Sequence, residues 1–339
     1  LDEIRAMALN IYMEQSAVRD GVTAEEVKGI LLGMASGQET LLGYFRRFIR
    51  NFEKRVGINR TVGSLRAYSN AYSHIERFLQ AQYKLSDIPF SALDRSFIDK
   101  YDLYLRTERN LAPGTIINLT VQLKTIVGEA IADGIITASP FMGYEPMRPK
   151  HVQKYLTAEE LHRIMTTPLH RQTLYHVRDM FLFSCFTGIP YGDMRLLTKD
   201  NLCLAEDGIW WIKSARQKTK IEFEIPLLDL PLQILKKYSG TAPGDKLLPM
   251  YCNSTLNLYL KEIARICHID RPLVFHAGRH TYATEITLSH GVPLETVSRM
   301  LGHSQIETTQ IYAKVTDEKI DADTKALNRK ISERFSVVI

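Results

Sequence analysis

Long apolar runs are missing from this 339-residue chain. None approaches the ~20 residues that a helix needs to cross a bilayer, and no basic start leads into a signal-peptide core, so no membrane partner is expected. Cysteine is scarce. Cys185, Cys203, Cys252 and Cys267 are the four, and no two form a C-x-x-C pair. That argues for a reducing, cytoplasmic setting. Cys267-His268 with His276 and His280 could resemble a metal cluster, and His276 and His280 would share a helix face. No further ligand has a recognisable spacing, so no metal is expected. Internal repeats and low-complexity tracts are absent too. The chain opens Leu-Asp-Glu-Ile-Arg without an initiator methionine, and a segment ahead of Leu1 is expected.

What is present is an ordinary globular composition, 45% apolar and 24% charged, long enough for two or three domains. The net charge of +5 is unevenly distributed. Residues 1–40 hold 3 Lys/Arg against 7 Asp/Glu, whereas Leu41 to Lys150 hold 16 against 10. The basic stretch suits a surface that tracks phosphates, although a solvated mixed face has the same composition.

Residues 1–36 read as helical, with Ile4, Ala8, Ile11 and Tyr12 at helical spacing and a capping box at Thr23-Ala-Glu-Glu26. Residues 40–136 carry four helical patterns. Leu42, Phe45, Phe48 and Ile49 start the first, and Ser64–Leu85, Ser91–Asn110 and Pro113–Asp133 follow, separated by turn signals. A proline-rich linker occupies 137–153. A second capping box, Thr157-Ala-Glu-Glu160, opens a unit over 154–315. There the period changes from 3.6 to 2 at Ile209–Lys213 and Ile221–Ile225, two strands around a basic turn at Ser214–Lys220. Helices are expected again at Leu232–Lys237, Ser254–Cys267, His276–His290, Leu294–Leu301 and Ser304–Ala313, with a tail at 316–339. The expected fold is mainly α with a small antiparallel β-sheet.

Three segments belong together: Phe275-His276-Ala-Gly-Arg279-His280-Thr, Met300-Leu-Gly-His303, and Thr308-Thr-Gln-Ile-Tyr312. Singly each is weak, since a lone helical tyrosine is usually packing and a His/Arg pair usually surface. H-x-x-R, then L-G-H, then a tyrosine nine residues beyond that histidine is far more specific. With these residues the chain resembles the tyrosine recombinases, the phage-type integrases. Arg178-Asp-Met-Phe-Leu-Phe, Gly278-Arg-His-Thr-Tyr-Ala-Thr and Thr309-Gln-Ile-Tyr-Ala are most similar to integrases of Bacteroides-type mobile or conjugative elements.

The resemblance implies a helical, SAM-like core-binding domain at 40–136 followed by a catalytic domain at 154–315, with 1–36 as the end of an N-terminal arm-binding region. It implies a site-specific recombinase that integrates and excises a mobile element through a 3′-phosphotyrosine on Tyr312. Such an ester stores the energy of the broken bond, so no external energy source is needed. The family roles fall on Arg279 as a phosphate clamp, His276 as proton acceptor for the phenol and His303 as a donor to the phosphate. Lys218, in Arg216-Gln-Lys-Thr219, matches the hairpin lysine that protonates the leaving 5′-oxygen; Lys220 reads as a solvated hairpin lysine. No cofactor is implied, because protein cations take a metal's place. Paired sites on double-stranded DNA, a homotetramer in the synaptic complex and accessory DNA-bending or excision factors are the implied partners. Arg46, Arg47, Arg50, Lys54 and Arg55 are the densest basic cluster of the first domain and the candidate DNA contacts.

The pattern breaks at one place. The family's first arginine normally follows T-G-hydrophobic, but the chain reads Thr187-Gly-Ile-Pro190-Tyr-Gly-Asp193-Met-Arg195. Proline cannot clamp a phosphate. Arg178, which resembles an arginine of related integrases lacking the usual one, could reach the same oxygens; so could Arg195; or one clamp is missing. Loss of one such donor costs about 3 kcal/mol, a hundredfold in rate, and would favour the alternative of a catalytically weakened DNA-binding regulator. Asp193 stands at the family's acidic position, where it would orient His276 or Arg279, or simply cap a helix.

The tail carries Ile320, Leu327 and Ile331 at helical spacing and ends Phe335-Ser-Val-Val-Ile339, too apolar for a free terminus. The resemblance implies docking on a neighbouring protomer, as such tails often do in the family; packing within the same chain is the alternative. Deletion of Phe335–Ile339 is therefore expected to impair synapsis in a strand-exchange assay while single-site DNA binding persists; unaltered strand exchange would exclude this role.

Overall fold

The computed structural model describes residues 2–16, 21–24, 27, 39–147, 154–312 and 317–332. Two compact units divide between His151 and Val152. Among the described residues no helix is long and apolar enough to cross a membrane.

The first unit opens with α1 (Asp2–Ser16), tied down by Gln15, whose amide donates to the Tyr83 carbonyl at 3.2 Å. Four helices follow: α2 (Leu41–Glu53), α3 (Val62–Phe78), α4 (Arg95–Thr107) and α5 (Pro113–Ala132). Their starts are chemically marked. Thr61 and Asp94 accept the Ser64 and Phe97 amides at 3.1 and 2.7 Å, and Pro113 occupies the first turn of α5, where no amide is missed. The expected Ser64–Leu85 helix ends in a wider π turn, Leu79–Tyr83, closed by Lys84 at φ 57°. The expected Ser91–Asn110 helix begins only at Arg95, after a 3-10 turn at Phe90–Ala92, because Asp94 caps there. Phe78 is central to the core: the rings of Tyr83, Phe97, Tyr101 and Tyr104 lie 5.1 to 5.6 Å from it. Such pairs contribute about 0.5–1.5 kcal/mol each beyond area burial.

The second unit contains α6 (Ala158–Thr166), α7 (Gln172–Thr187) and a one-turn α8 (Tyr191–Met194). A three-stranded antiparallel sheet follows in the order β1 (Leu202–Leu204), β2 (Trp210–Ala215), β3 (Glu222–Pro226). The Thr157 capping box is made in both directions. The third strand, β1, escaped the periodicity because three residues are too few to show an alternation. Ile212, fully buried, pairs with Leu202 on one side and Ile225 on the other. Helices α9 (Asp229–Lys237), α10 (Asn253–Ile266), α11 (Ala277–Thr281), α12 (Leu294–Leu301), α13 (Glu307–Gln310) and α14 (Asp317–Ser332) complete the unit.

Two expected helices depart from the sequence reading. His276–His290 is continuous but irregular: α11 widens to a π-helix over Tyr282–Thr287 and tightens to 3-10 over Leu288–His290. The Thr287 hydroxyl donates to the Tyr282 and Ala283 carbonyls at 3.0 and 2.8 Å, satisfying groups that the widening would strand. Ser304–Ala313 shrinks to the single turn of α13 within its described part. The apolar stripe of the tail is seen in α14 as Leu327 and Ile331, both exposed; the Phe335–Ile339 segment lies outside the described residues.

Gly188 ends α7 at φ 68°, and a Cβ there would lie 2.5 Å from the Tyr282 ring and 2.8 Å from Leu301. Both atoms belong to buried core side chains that cannot swing away. Gly188→Ala should therefore destabilise the protein by about 2–3 kcal/mol, from left-handed strain plus overpacking. A shift in the urea midpoint measures it, and an unchanged midpoint would contradict the packing described.

Candidate active site

Arg279 is the centre of a buried polar cluster. Its backbone lies on α11, packed so closely against α7 that a Cβ on Gly278 would meet Ser184 Oγ at 2.8 Å. Only 3% of Arg279 is exposed. Its Nη1 donates to the Gly188 carbonyl at 2.9 Å, and its Nη2 to the Leu301 carbonyl at 2.6 Å. Nη2 also lies 2.9 Å from His303 Nε2, and the guanidinium is near enough to Tyr312 to pull its phenol pKa down against the rise from burial. Three segments distant in sequence thus converge on one side chain.

A second guanidinium stands beside it. Arg216 lies at the base of the β2–β3 turn, where its amide donates to the Ile221 carbonyl at 2.8 Å and its carbonyl accepts the Lys220 amide at 2.8 Å. Lys220 takes φ 61° to close that turn. Arg216 Nη1 donates to the same Leu301 carbonyl at 2.9 Å. Its Nε is 2.6 Å from Asp193 Oδ2, a close ion pair, although neither atom has an aligned hydrogen bond. Asp193 also accepts the Gln217 amide through Oδ1 at 2.8 Å. Gly302 makes room: at φ 63°, a Cβ there would fall 2.8 Å from Arg216 Cγ.

The two guanidiniums repel each other in a dry setting. Burial first, and Arg216 second, push the Arg279 pKa down to about 10. An anion between them would relieve that repulsion. Tyr312 is 7% exposed. Burial raises its phenol pKa, while Arg279 and Arg216 pull the other way. The His303 ring lies parallel to the Tyr312 ring at 6.2 Å, and the His280 ring stands edge-on to it at 5.1 Å. His280 in turn touches His276, ring centroids 5.0 Å apart. The His276 pKa is lowered by desolvation, then by Arg279, Arg216 and Lys154.

The sequence candidates divide accordingly. Tyr312, Arg279, His303 and His276 come together, with His280 as an unforeseen member. Lys218 stands exposed at the tip of the turn whose base is Arg216. Arg178 does not join them. Its Nη1 donates to the Met165 carbonyl at 3.3 Å, its guanidinium stacks 4.7 Å above the Tyr175 ring, and its Nε faces Asp179 Oδ1 at 3.7 Å. Ten residues of helix separate Arg178 from Gly188, about 15 Å along the axis. Arg195 is exposed at the end of α8. Pro190 carries no charge, and the guanidinium that stands beside Arg279 is that of Arg216. Asp193 pairs with Arg216 and also acts on Arg279 electrostatically. Arg216 has no distinguishing signal in the sequence, because it lies in the basic Ser214–Lys220 turn just beyond β2, where no strand alternation assigns it a face.

In the first unit Arg46, Arg47, Arg50, Lys54 and Arg55 are all exposed along and just beyond α2. Arg46 donates to Tyr72 Oη at 2.5 Å, and Arg47 pairs with Glu39 at 2.5 Å. Arg47, Arg55 and Arg60 line a cavity of about 380 Å³ with Phe48, Phe52 and Tyr68.

Comparison with known proteins gives concordant matches. The model of the phage integrase family matches residues 154–319, and that of the phage integrase SAM-like domain residues 40–146. The tyrosine recombinase XerD of Listeria monocytogenes is 25% identical over 273 residues, 76% of this chain and 89% of that protein. XerD of Staphylococcus saprophyticus is 26% identical over 297 residues, 83% and 96% of the two chains. Among solved structures, the Tn1549 transposon integrase in complex with transposon right end DNA has TM-score 0.66 at 18% identity, covering 85% of this chain and 99% of that one. A lambda integrase dimer bound to a core site has TM-score 0.66 at 18% identity, covering 82% and 100%. At such identity these two show the shared fold.

The buried imidazoles give a pH prediction. Burial, followed by neighbouring cationic groups, pushes His280 and His303 down to about 4. A histidine in the unfolded chain titrates near ~6.5. Between these values the unfolded chain takes up protons that the fold refuses, so their contribution is complete above ~6.5 and is lost as pH falls toward 4. The melting temperature should decline across that window, and His303→Gln should make the decline shallower. An identical slope in the variant would contradict the assignment.

Proposed function

We propose that this chain, which belongs to the phage integrase family of tyrosine recombinases, cuts and rejoins DNA through a 3′-phosphotyrosine on Tyr312. The observation that carries this reading is the pair of guanidiniums, Arg279 and Arg216, sharing the Leu301 carbonyl beside the Tyr312 phenol. Two fixed cations next to a nucleophile suit a phosphodiester, whose nonbridging oxygens gain charge as phosphorus is attacked.

In the reaction Tyr312 Oη bonds to phosphorus and the bond from phosphorus to the 5′-oxygen breaks. Arg279 and Arg216 hold the nonbridging oxygens. The phenol loses its proton toward the imidazoles at its edge, with His276 in the family's acceptor role and His280 in ring contact with both. Lys218, carried on the turn that Arg216 anchors, protonates the departing 5′-oxygen. The 5′-hydroxyl of a partner strand then attacks the phosphotyrosine, the bond from phosphorus to Tyr312 breaks, and the phenol regains its proton. No metal or other cofactor enters these steps.

The SAM-like domain, through Arg46, Arg47, Arg50, Lys54 and Arg55, grips the duplex beside the cleaved phosphate. Four copies assemble on two paired sites, with accessory DNA-bending or excision factors, and the reaction integrates and excises a mobile element in the bacterial cytoplasm. The resemblance to integrases of Bacteroides-type elements supports this finer reading. A non-catalytic regulator drew its support from Pro190, and Arg216 supplies the cation that Pro190 cannot.

A nicked suicide substrate carrying the cognate site tests the proposal. Wild type should accumulate a covalent adduct that Tyr312→Phe abolishes. Arg216→Ala should slow adduct formation about 100-fold, as loss of one preorganised donor does, while Arg178→Gln stays within about threefold. Loss in Arg178→Gln with Arg216→Ala unaffected would reverse the assignment of the first arginine; no adduct from wild type would remove the catalytic reading.

A further inference from the structure

His303 has both ring nitrogens engaged, and the chemistry of its partners fixes its tautomer. Nε2 faces Arg279 Nη2 at 2.9 Å. A guanidinium has five N–H donors and no acceptor, so Nε2 must present its lone pair. The pKa near 4 makes the ring neutral at physiological pH, and a neutral imidazole carries one proton, which must then sit on Nδ1. Nδ1 lies 2.7 Å from Thr309 Oγ1, and Thr309 is fully buried. The hydroxyl is the acceptor of that proton.

Thr309 is placed for this by local chain geometry. Gly302 ends α12 at φ 63°, and the chain reverses into the one-turn α13, which brings Thr309 back under the ring. Thr309's amide donates to the Ile306 carbonyl at 2.8 Å and its carbonyl accepts the Tyr312 amide at 2.9 Å. The residue that holds His303 is thus one hydrogen bond from the backbone of the nucleophile. The charged and titratable groups facing His303 are Arg279 from α11, Arg216 from the hairpin and the parallel ring of Tyr312.

We propose that Thr309 is a positioning residue that locks His303 in the Nδ1–H tautomer, so that Nε2, the nitrogen facing Arg279, is the one free to gain a proton and donate it to the phosphate. When a phosphate oxygen takes over the Arg279 donor, Nε2 is released; it picks up a proton from solvent, and the resulting imidazolium keeps its Nδ1–H on Thr309. Without the hydroxyl the buried Nδ1–H has no acceptor, and the proton moves to Nε2, where it opposes an Arg279 N–H. This rests on the catalytic reading above, but its first test needs no DNA.

Nitrogen chemical shifts of His303 in the free protein should report Nδ1 protonated at pH 7; an Nε2–H tautomer overturns the proposal whatever the enzyme does. On the suicide substrate, Thr309→Val should slow adduct formation about 10- to 100-fold at unchanged DNA affinity, the range expected when a general-acid group is misplaced. Thr309→Ser, which keeps the hydroxyl, should recover to within about threefold of wild type. In a His303→Ala background Thr309→Val should cost nothing more, because the two act as one unit. A Thr309→Ser as slow as Thr309→Val, or an undiminished loss in the His303→Ala background, would reduce Thr309 to packing. Wild-type protein that makes no adduct while showing the Nδ1–H tautomer would count against the catalytic reading alone.

Discussion

One carbonyl holds two cations in place. The Leu301 carbonyl, at the C-terminal end of α12, accepts from Arg279 and from Arg216, and the partial negative charge of a helix end suits it to the task. Two guanidiniums within reach of one acceptor repel each other, and burial sharpens the repulsion because little water is present to screen it. The Asp193 carboxylate, close against Arg216, offsets part of that cost. What remains is a site charged in advance for an anion, with a phenol at its edge.

The irregularities of the second unit follow from this requirement. Gly188 turns α7 back so that its carbonyl can take an Arg279 donor. Gly302 turns α12 so that Arg216 can pass beneath it and His303 can face Arg279. The widened helix after α11 carries Tyr282 across to pack on both Gly188 and Leu301, the two residues whose carbonyls hold Arg279. An arginine clamp built in this way is rigid, and rigidity is what allows fixed dipoles to stabilise a transition state without reorganising. The first unit has its own aromatic core and an arginine-rich helix.

Most of the helices and the hairpin were legible because their signals are local. Capping boxes, a proline at a first turn and a change of period are written within a few residues, and Thr157, Pro113 and the Ile209–Ile225 stretch show each of them. The three-residue β1 was not legible, being shorter than the pattern it would need to display. Tyr312, Arg279, His276 and His303 could be named from their spacing and the resemblance that it carries, and the structure brings them together.

Residue type and order alone determined that this chain carries H-x-x-R, L-G-H and a tyrosine nine residues beyond that histidine, and no arginine at position 190. Which arginine stands beside Arg279 was decided only by the tertiary structure. Arg178, Arg195 and Arg216 are equally basic in one dimension, and helix geometry keeps Arg178 against Met165 and Tyr175, while the hairpin folds Arg216 over Gly302. The same holds for the tautomer of His303: its two partners come from α11 and α13, and only their meeting across the ring leaves a single nitrogen for the proton.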